Sequence, residues 1–170
     1  QRAILGGAVT IEHGDLLNAE TALLMKQKGV TYFPTLAATE SVTQYKGWKK
    51  GIDAEPEAVT QKRKAFKLAM ENGVTIGMGG DVGVFAHGEN VLEMELMVNY
   101  GMKPIQVLQA ATSVNARALQ MQNKIGFIKA GHLADLVIFE GDPSVSISAL
   151  RKPLWVMKDG VIYQPESAKK

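Results

Sequence analysis

Short runs rich in β-branched and aromatic residues alternate with segments of helical periodicity over the first two thirds of the chain. The β-rich runs cover residues 9–14, 30–33 and 74–78, and the helical segments after them cover residues 18–28, 56–71 and 89–100. Helical crossovers between short apolar strands are typical of parallel strands, and such crossovers are right-handed. The pattern therefore predicts an α/β fold with parallel strands.

Turn and cap residues predict where several of these elements end. Asn18 is expected to cap the first helix, Gly29 to end it, and Pro56 to occupy the first turn of the second helix. Residues 34–55 contain many threonines and glycines and no clear periodicity. This segment is therefore predicted to be a long loop.

The pattern changes after residue 120. Two more short helical segments precede this point, and short β-rich runs separated by glycines follow it; these segments cover residues 104–111, 113–119, 134–139, 154–158 and 161–163. Asp159-Gly160 between the last two runs is a β-hairpin signal. The chain is therefore expected to divide into an α/β domain of residues 1–122 and a small β domain of residues 123–170.

Composition excludes several classes of protein. The 170 residues are 46% hydrophobic and 21% charged, as in ordinary globular domains. The 19 basic and 17 acidic residues give a net charge of +2, which does not favour a nucleic-acid partner. No apolar run approaches the roughly 18 residues of a membrane helix, so no membrane partner is expected. The absence of cysteine excludes disulfides and thiolate metal sites, and it leaves a cytoplasmic or a periplasmic location open.

Two polar residues follow predicted strands, at the edge where parallel α/β folds place their active sites. His13 ends the first β-rich run and Asp81 follows the third. Imidazole and carboxylate are ordinary ligands of Zn²⁺ and similar ions, and Asp81 could instead act as a general base. The alternatives are a structural histidine and a carboxylate that caps a helix or turn, since the two residues form no local metal motif.

Other polar residues offer weaker signals. His87 and Asn90 could contact a substrate, or they could be an exposed loop residue and the start of a helix. The glycines of residues 77–83 do not have nucleotide-binding spacing and are expected to allow a tight turn beside Asp81. The charges of residues 62–64 are expected to be solvated.

Four separated motifs resemble the metal-dependent amidohydrolase superfamily. Residues 11–14 (Ile-Glu-His-Gly) resemble its sixth barrel strand, and residues 79–83 (Gly-Gly-Asp-Val-Gly) resemble its eighth. Residues 99–104 and 110–116 resemble the segment that follows the eighth strand, and residues 125–137 are similar to the stretch that returns the chain to a β-sandwich. Residues 87–90 (His-Gly-Glu-Asn) are similar to the imidazolonepropionase-like group, which includes Xaa-Pro dipeptidases.

This resemblance implies the C-terminal part of a (β/α)8 TIM-like barrel, strands six to eight, with part of a small β-sandwich. It implies that His13 is a metal ligand and that Asp81 contacts the metal and moves the proton of the attacking water. His87 and Asn90 would lie near the substrate, a small peptide or N-acyl amino acid whose amide bond is hydrolysed. The implied cofactor is a divalent metal, zinc, with one or two ions in the complete enzyme.

The chain lacks several residues of the family pattern. It has no His-x-His pair, no strand-four lysine or glutamate and no strand-five histidine, and a complete barrel needs about 250 residues. We therefore expect an N-terminal barrel half as partner and an inactive isolated chain. The alternatives are a non-catalytic, self-associating barrel module that forms homo-oligomers, and a small doubly wound ligand-binding domain, which the missing phosphate loop disfavours.

Overall fold

The computed structural model describes residues 1–164, and its first compact unit spans Gln1–Met102. Three parallel strands form the sheet of this unit in the order β1-β2-β3, with bounds β1 Thr10–Glu12, β2 Thr31–Phe33 and β3 Thr75–Ile76. The helices of this unit are α1 Arg2–Leu5, α2 Ala19–Lys28, α3 Leu36–Tyr45, α4 Glu57–Glu71 and α5 Val91–Asn99. The expected α/β arrangement with parallel strands is confirmed.

The sheet register aligns the first residues of the three strands. Thr31 of β2 pairs with Thr10 of β1 on one side and with Thr75 of β3 on the other. Tyr32 in the central strand is completely buried. Because the strands are parallel and in register, the residues that follow them leave the sheet at one edge.

Local capping rules account for the ends of α2. The Asn18 side chain accepts a hydrogen bond of 2.9 Å from the Thr21 backbone N–H. Gly29 ends the helix with a left-handed backbone (φ 67°), a conformation that glycine adopts without a steric cost. Both cap predictions are confirmed.

The prediction of a loop over residues 34–55 is wrong in its first half, because α3 occupies Leu36–Tyr45. Thr35 stands at the N-cap position, but its side chain does not bond the helix N–H groups. The carboxylate of Glu93 accepts them instead, from Leu36 at 3.0 Å and from Ala37 at 2.7 Å. A cap supplied from a distant position in the chain leaves no local sequence signal for the start of the helix.

The second unit begins at Lys103 and contains a helical segment and an antiparallel sheet. The helical segment comprises α6 (Pro104–Gln109), a π-helical turn (Ala110–Val114) and α7 (Asn115–Ala118). The two helices expected here are therefore joined by a widened turn rather than separated. The sheet has the order β4-β5-β6, with β4 Leu136–Phe139, β5 Pro153–Lys158 and β6 Val161–Tyr163, and a short 3₁₀ helix covers Ile147–Arg151.

The predicted hairpin joins β5 and β6. Lys158 pairs with Val161 across a two-residue turn formed by Asp159 and Gly160. Both turn residues have positive φ angles, 50° and 79°, as a type I′ hairpin turn requires. The hairpin prediction is confirmed.

The compact units meet at residues 102 and 103, earlier than the predicted boundary at residues 122 and 123. That boundary follows the expected division between barrel and sandwich, and it stays a prediction. Residues 165–170 of the predicted β domain lie outside the described residues. Over the part of the chain that the structure describes, no helix is long and apolar enough to span a bilayer.

Gly126 lies against the π-helical turn and should not tolerate a side chain. A Cβ atom there would lie 2.6 Å from Ala116 Cβ and 2.9 Å from the Thr112 carbonyl oxygen, at a φ of 87°. Gly131 has nearly the same φ, 85°, but no atom within 4 Å of such a Cβ. We expect Gly126→Ala to lower the free energy of unfolding by about 3 kcal/mol and Gly131→Ala by about 1 kcal/mol.

Urea unfolding in a Trp48→Phe background measures this difference, because Trp155 fluorescence then reports on the sheet of the second unit. Equal losses in the two variants would contradict the steric contribution at Gly126.

Candidate active site

Each strand of the parallel sheet is followed by a non-glycine residue with a left-handed backbone. His13 (φ 66°) directly follows β1, Thr35 (φ 50°) lies two residues beyond β2, and Asp81 (φ 60°) lies five residues beyond β3. This conformation costs about 1–2 kcal/mol for residues other than glycine, and such strain clusters at functional sites. The carboxyl edge of the sheet is therefore the candidate active site.

His13 is held through its backbone and its ring. Its N–H donates to the Phe33 carbonyl at 3.0 Å, and its own carbonyl accepts from Tyr32 Oη at 2.9 Å and from Lys62 Nζ at 3.0 Å. The ring Nδ1 lies 2.8 Å from Thr35 Oγ1, within hydrogen-bond distance. Among the described residues Nε2 has no partner, and the side chain is exposed. The exposed nitrogen is therefore the one free to bind a ligand.

Tyr32 contributes a hydroxyl that stays protonated. Burial raises the pKa of Tyr32 well above its ordinary value, and the charges of Asp15 and Glu93 raise it further. The ring also fits closely against Gly14, where a Cβ atom would lie 2.7 Å from Tyr32 Cε2. Glycine after His13 thus lets the tyrosine reach the His13 carbonyl.

Lys62 is buried, with 2% of its surface exposed, so the prediction of solvated charges fails at this position. Its ammonium contacts the Asp15 carboxylate and donates to the His13 carbonyl and to Thr35 Oγ1. A sequence signal for this burial exists. Lys62 is three residues after Val59 and four before Phe66, on the buried stripe of α4.

Glu93 supports the site from α5. The side chain is fully buried, and its two hydrogen bonds from Leu36 and Ala37 hold the first turn of α3 directly after Thr35. Burial raises the pKa of Glu93 from 4.5 to about 7, although those two N–H donors and the Lys62 charge act in the opposite direction. The residues next to Glu93 in the sequence do not indicate this role, because its partners lie 57 and 56 positions away.

Asp81 is brought to the edge of the sheet by closely packed glycines. A Cβ atom on Gly79 would lie 3.2 Å from Phe33 Cδ1, and one on Gly80 would lie 3.1 Å from Phe85 Cζ. The backbone between β3 and Asp81 can therefore follow the surface of its neighbours. The Asp81 side chain itself is exposed.

His87 and Asn90 lie on the same connection as Asp81, between β3 and α5. Both are exposed, and Asn90 occupies the N-cap position of α5 without a side-chain cap bond. His132 lies in the second unit, where its Nε2 is 3.2 Å from the Gln122 carbonyl oxygen. The substrate role of His87 and Asn90 stays a prediction.

The residues present fit part of a metal site. His13 offers an imidazole nitrogen whose other ring nitrogen is held by Thr35, the arrangement that metal-binding histidines commonly have. Asp81 adds an exposed carboxylate. No group of three or more potential metal-ligating residues occurs within residues 1–164, so further ligands would have to come from elsewhere.

A model of the amidohydrolase family matches residues 1–163. The chain belongs to the amidohydrolase family. Its α/β fold corresponds to part of the amidohydrolase TIM barrel, and the resemblance found in the motifs is confirmed. Identification of the three strands as six to eight is not tested by this match.

Solved and curated relatives of this amidohydrolase chain include a dipeptidase, a putative prolidase and an ochratoxinase. A Xaa-Pro dipeptidase crystallised with methionine in its active site is 37% identical, with a TM-score of 0.86, and the match covers 96% of this chain and 42% of the dipeptidase. A putative prolidase from Bifidobacterium longum is 26% identical, with a TM-score of 0.81, over 99% and 45% of the two chains. Ochratoxinase from Aspergillus niger is 30% identical over 95% of this chain and 35% of its own length. The chain thus spans less than half the length of these relatives.

Glu93 should make the stability of this amidohydrolase chain depend on pH. Its folded-state pKa lies above its unfolded value, so the native state binds the proton more tightly. The resulting stabilisation is complete below about pH 4.5 and is lost as the pH rises through about 7. Relative to Glu93→Gln, we expect the unmodified chain to lose about 3 kcal/mol of unfolding free energy over this range.

Urea unfolding of both proteins at a series of pH values measures this difference. All other ionisable groups are the same in both proteins, so the comparison isolates Glu93. If the difference in unfolding free energy between the two proteins stays constant from about pH 4.5 to about pH 8, protonation of Glu93 is not coupled to stability.

Proposed function

We propose that this chain is the C-terminal part of a metal-dependent hydrolase that cleaves an amide bond in a dipeptide or N-acyl amino acid. In this proposal β1, β2 and β3 are barrel strands six to eight, and the sheet of the second unit is part of a β-sandwich. The main support is the pair of strained residues, His13 and Asp81, at the carboxyl edge of a parallel sheet in an amidohydrolase chain. The similarity to a Xaa-Pro dipeptidase supports the substrate class.

His13 and Asp81 would hold a divalent metal, zinc, as one or two ions in the complete enzyme. When bound, such an ion polarises the scissile carbonyl and lowers the pKa of water. His13 would present Nε2, because Nδ1 is engaged with Thr35. Asp81 would accept the proton of the attacking water and deliver it to the leaving nitrogen.

His87 and Asn90 would bind the substrate. An imidazole and an amide can both donate hydrogen bonds to a carboxylate or carbonyl oxygen, the polar groups of a dipeptide or N-acyl amino acid. Both side chains are exposed on the connection that carries Asp81. Their position thus suits contact with the part of the substrate next to the scissile bond.

The remaining barrel strands would come from an N-terminal half. Within the described residues, β1 and β3 are the outer strands of the sheet and each has one unpaired edge. Three strands cannot close an eight-stranded barrel, and two ligands cannot hold a metal as a full set does. We therefore expect the isolated chain to be inactive.

A complementation experiment tests this function. The chain is assayed for metal content and Xaa-Pro dipeptide hydrolysis alone, and together with the unmatched N-terminal portion of the related dipeptidase. We expect turnover and bound metal only in the combination. Asp81→Asn should lower kcat by about 10²–10⁴-fold, and His13→Ala should lower metal content, whereas His132→Asn should change neither.

Two results would contradict the proposal. Stoichiometric metal and turnover in the chain alone would show that no other half is needed. An assembled combination, verified by sedimentation, that contains metal but hydrolyses no dipeptide or N-acyl amino acid would exclude the substrate class.

The alternative function is a non-catalytic module that self-associates. Large apolar side chains are exposed on either side of β1, with Val9 at 61% and Leu16 at 82%. Together with the unpaired edges, such side chains favour association between copies. Sedimentation should then show a folded homo-oligomer without metal or activity. A monomer at micromolar concentration would exclude this alternative.

A further inference from the structure

Lys62 is the one lysine of α4 whose charged group lies inside the described core of the first unit. An ammonium has three N–H donors, and the structure gives this one three acceptors: Asp15, the His13 carbonyl and Thr35 Oγ1. Burial of such a charge without partners is costly, and these contacts offset that cost.

The acceptors of Lys62 all belong to the candidate site. His13 and Asp15 follow β1, and Thr35 follows β2. Thr35 Oγ1 is also the atom that contacts the His13 ring, and the His13 carbonyl belongs to a residue with a left-handed backbone. The ammonium therefore contacts His13 directly through its carbonyl and indirectly through its ring.

We propose that Lys62 is a positioning residue that fixes both the backbone and the imidazole orientation of His13. The ammonium stabilises the left-handed backbone by holding the carbonyl, and it orients Thr35 so that the threonine oxygen meets Nδ1. Nε2 is then the ring nitrogen without a partner among the described residues. Ligand binding by Nε2 rests on the function proposed above. The contacts of Lys62 do not depend on that proposal.

Substitution of Lys62 by methionine separates positioning from stability. A buried, paired charge can often be replaced by an apolar side chain of similar length with little loss of stability. Asp15 is 56% exposed, so water can solvate the carboxylate that loses its partner. Tyr32 still donates to the His13 carbonyl. We therefore expect the Lys62→Met chain to fold and the backbone and ring orientation of His13 to change.

Nuclear magnetic resonance on the isotope-labelled chain, without metal or substrate, provides the measurement. The chain has three histidines, so the His13 ring signals can be assigned with His87→Asn and His132→Asn. In Lys62→Met we expect the His13 carbonyl carbon and Nδ1 signals to shift toward those of an unstructured histidine. Lys67→Met, on the exposed side of α4, should leave both signals unchanged.

A second variant distinguishes the ammonium from the ion pair. Asp15→Asn removes the charge of the partner but leaves the donors to His13 and Thr35 in place, so the His13 signals should stay close to those of the unmodified chain. If Asp15→Asn moves them as far as Lys62→Met does, the ion pair and not the ammonium positions His13, and the proposal is wrong. Unchanged His13 signals in a folded Lys62→Met chain would also overturn it.

One measurement needs no variant and remains decisive if Lys62→Met does not fold. A scalar coupling through the hydrogen bond should connect Lys62 Nζ with the His13 carbonyl carbon in the unmodified chain, and its absence would refute the contact. All these signals are read without metal, so a failed activity test affects only the function proposed above. A failed NMR test affects only the role of Lys62.

Discussion

A buried ammonium determines the conformation of the chain at the carboxyl edge of the parallel sheet. Lys62 can remain inside the first unit only if acceptors surround it, and the segments after β1 and β2 provide them. Two of these acceptors come from residues with left-handed backbones, His13 and Thr35. Each such backbone costs about 1–2 kcal/mol, which is less than the cost of leaving the charge without partners.

The buried carboxylate of Glu93 has a similar role at the start of α3. Thr35 Oγ1 contacts the His13 ring, accepts a hydrogen bond from Lys62 and makes no cap bond to α3, where Glu93 supplies the two acceptors. The positive charge of Lys62 and the negative charge of Glu93 interact across this region, and this attraction favours the ionised form of Glu93. The contacts and charges of Lys62 and Glu93 therefore link the ends of β1 and β2 with the start of α3.

Features that depend on residues close together in the sequence could be predicted, whereas a feature that depends on distant residues could not. Asn18 and Gly29 act within one helix, and Asp159-Gly160 within one hairpin, so local rules identify them. The start of α3 depends on Glu93, which is 57 positions from Leu36, and no local rule contains that information. The positions of His13 and Asp81 after strands are confirmed, because that argument depends on topology and not on the bounds of the helices, whereas their role in the site stays a prediction.

Lys62 shows a different limit of sequence interpretation. A run of three basic residues is ordinarily solvated, but only one position of the run lies on the stripe between Val59 and Phe66. Helical periodicity identifies Lys62 as a buried position, whereas the count of charged residues in the run does not. Whether the lysine can be accommodated there depends on acceptors from β1 and β2, which only the folded chain brings together.

The support of the candidate site is complete within the first unit, but its ligand set is not. Tyr32, Thr35 and Lys62 satisfy the backbone and one ring nitrogen of His13 with groups from this chain alone. The described residues nevertheless contain no cluster of three metal-ligating side chains. If His13 binds a metal as proposed above, the contacts at the strand ends orient this ligand, whereas a full ligand set requires residues beyond the described ones. Under the proposed function, an amidohydrolase chain of this kind orients His13 before the remaining barrel strands supply the other ligands.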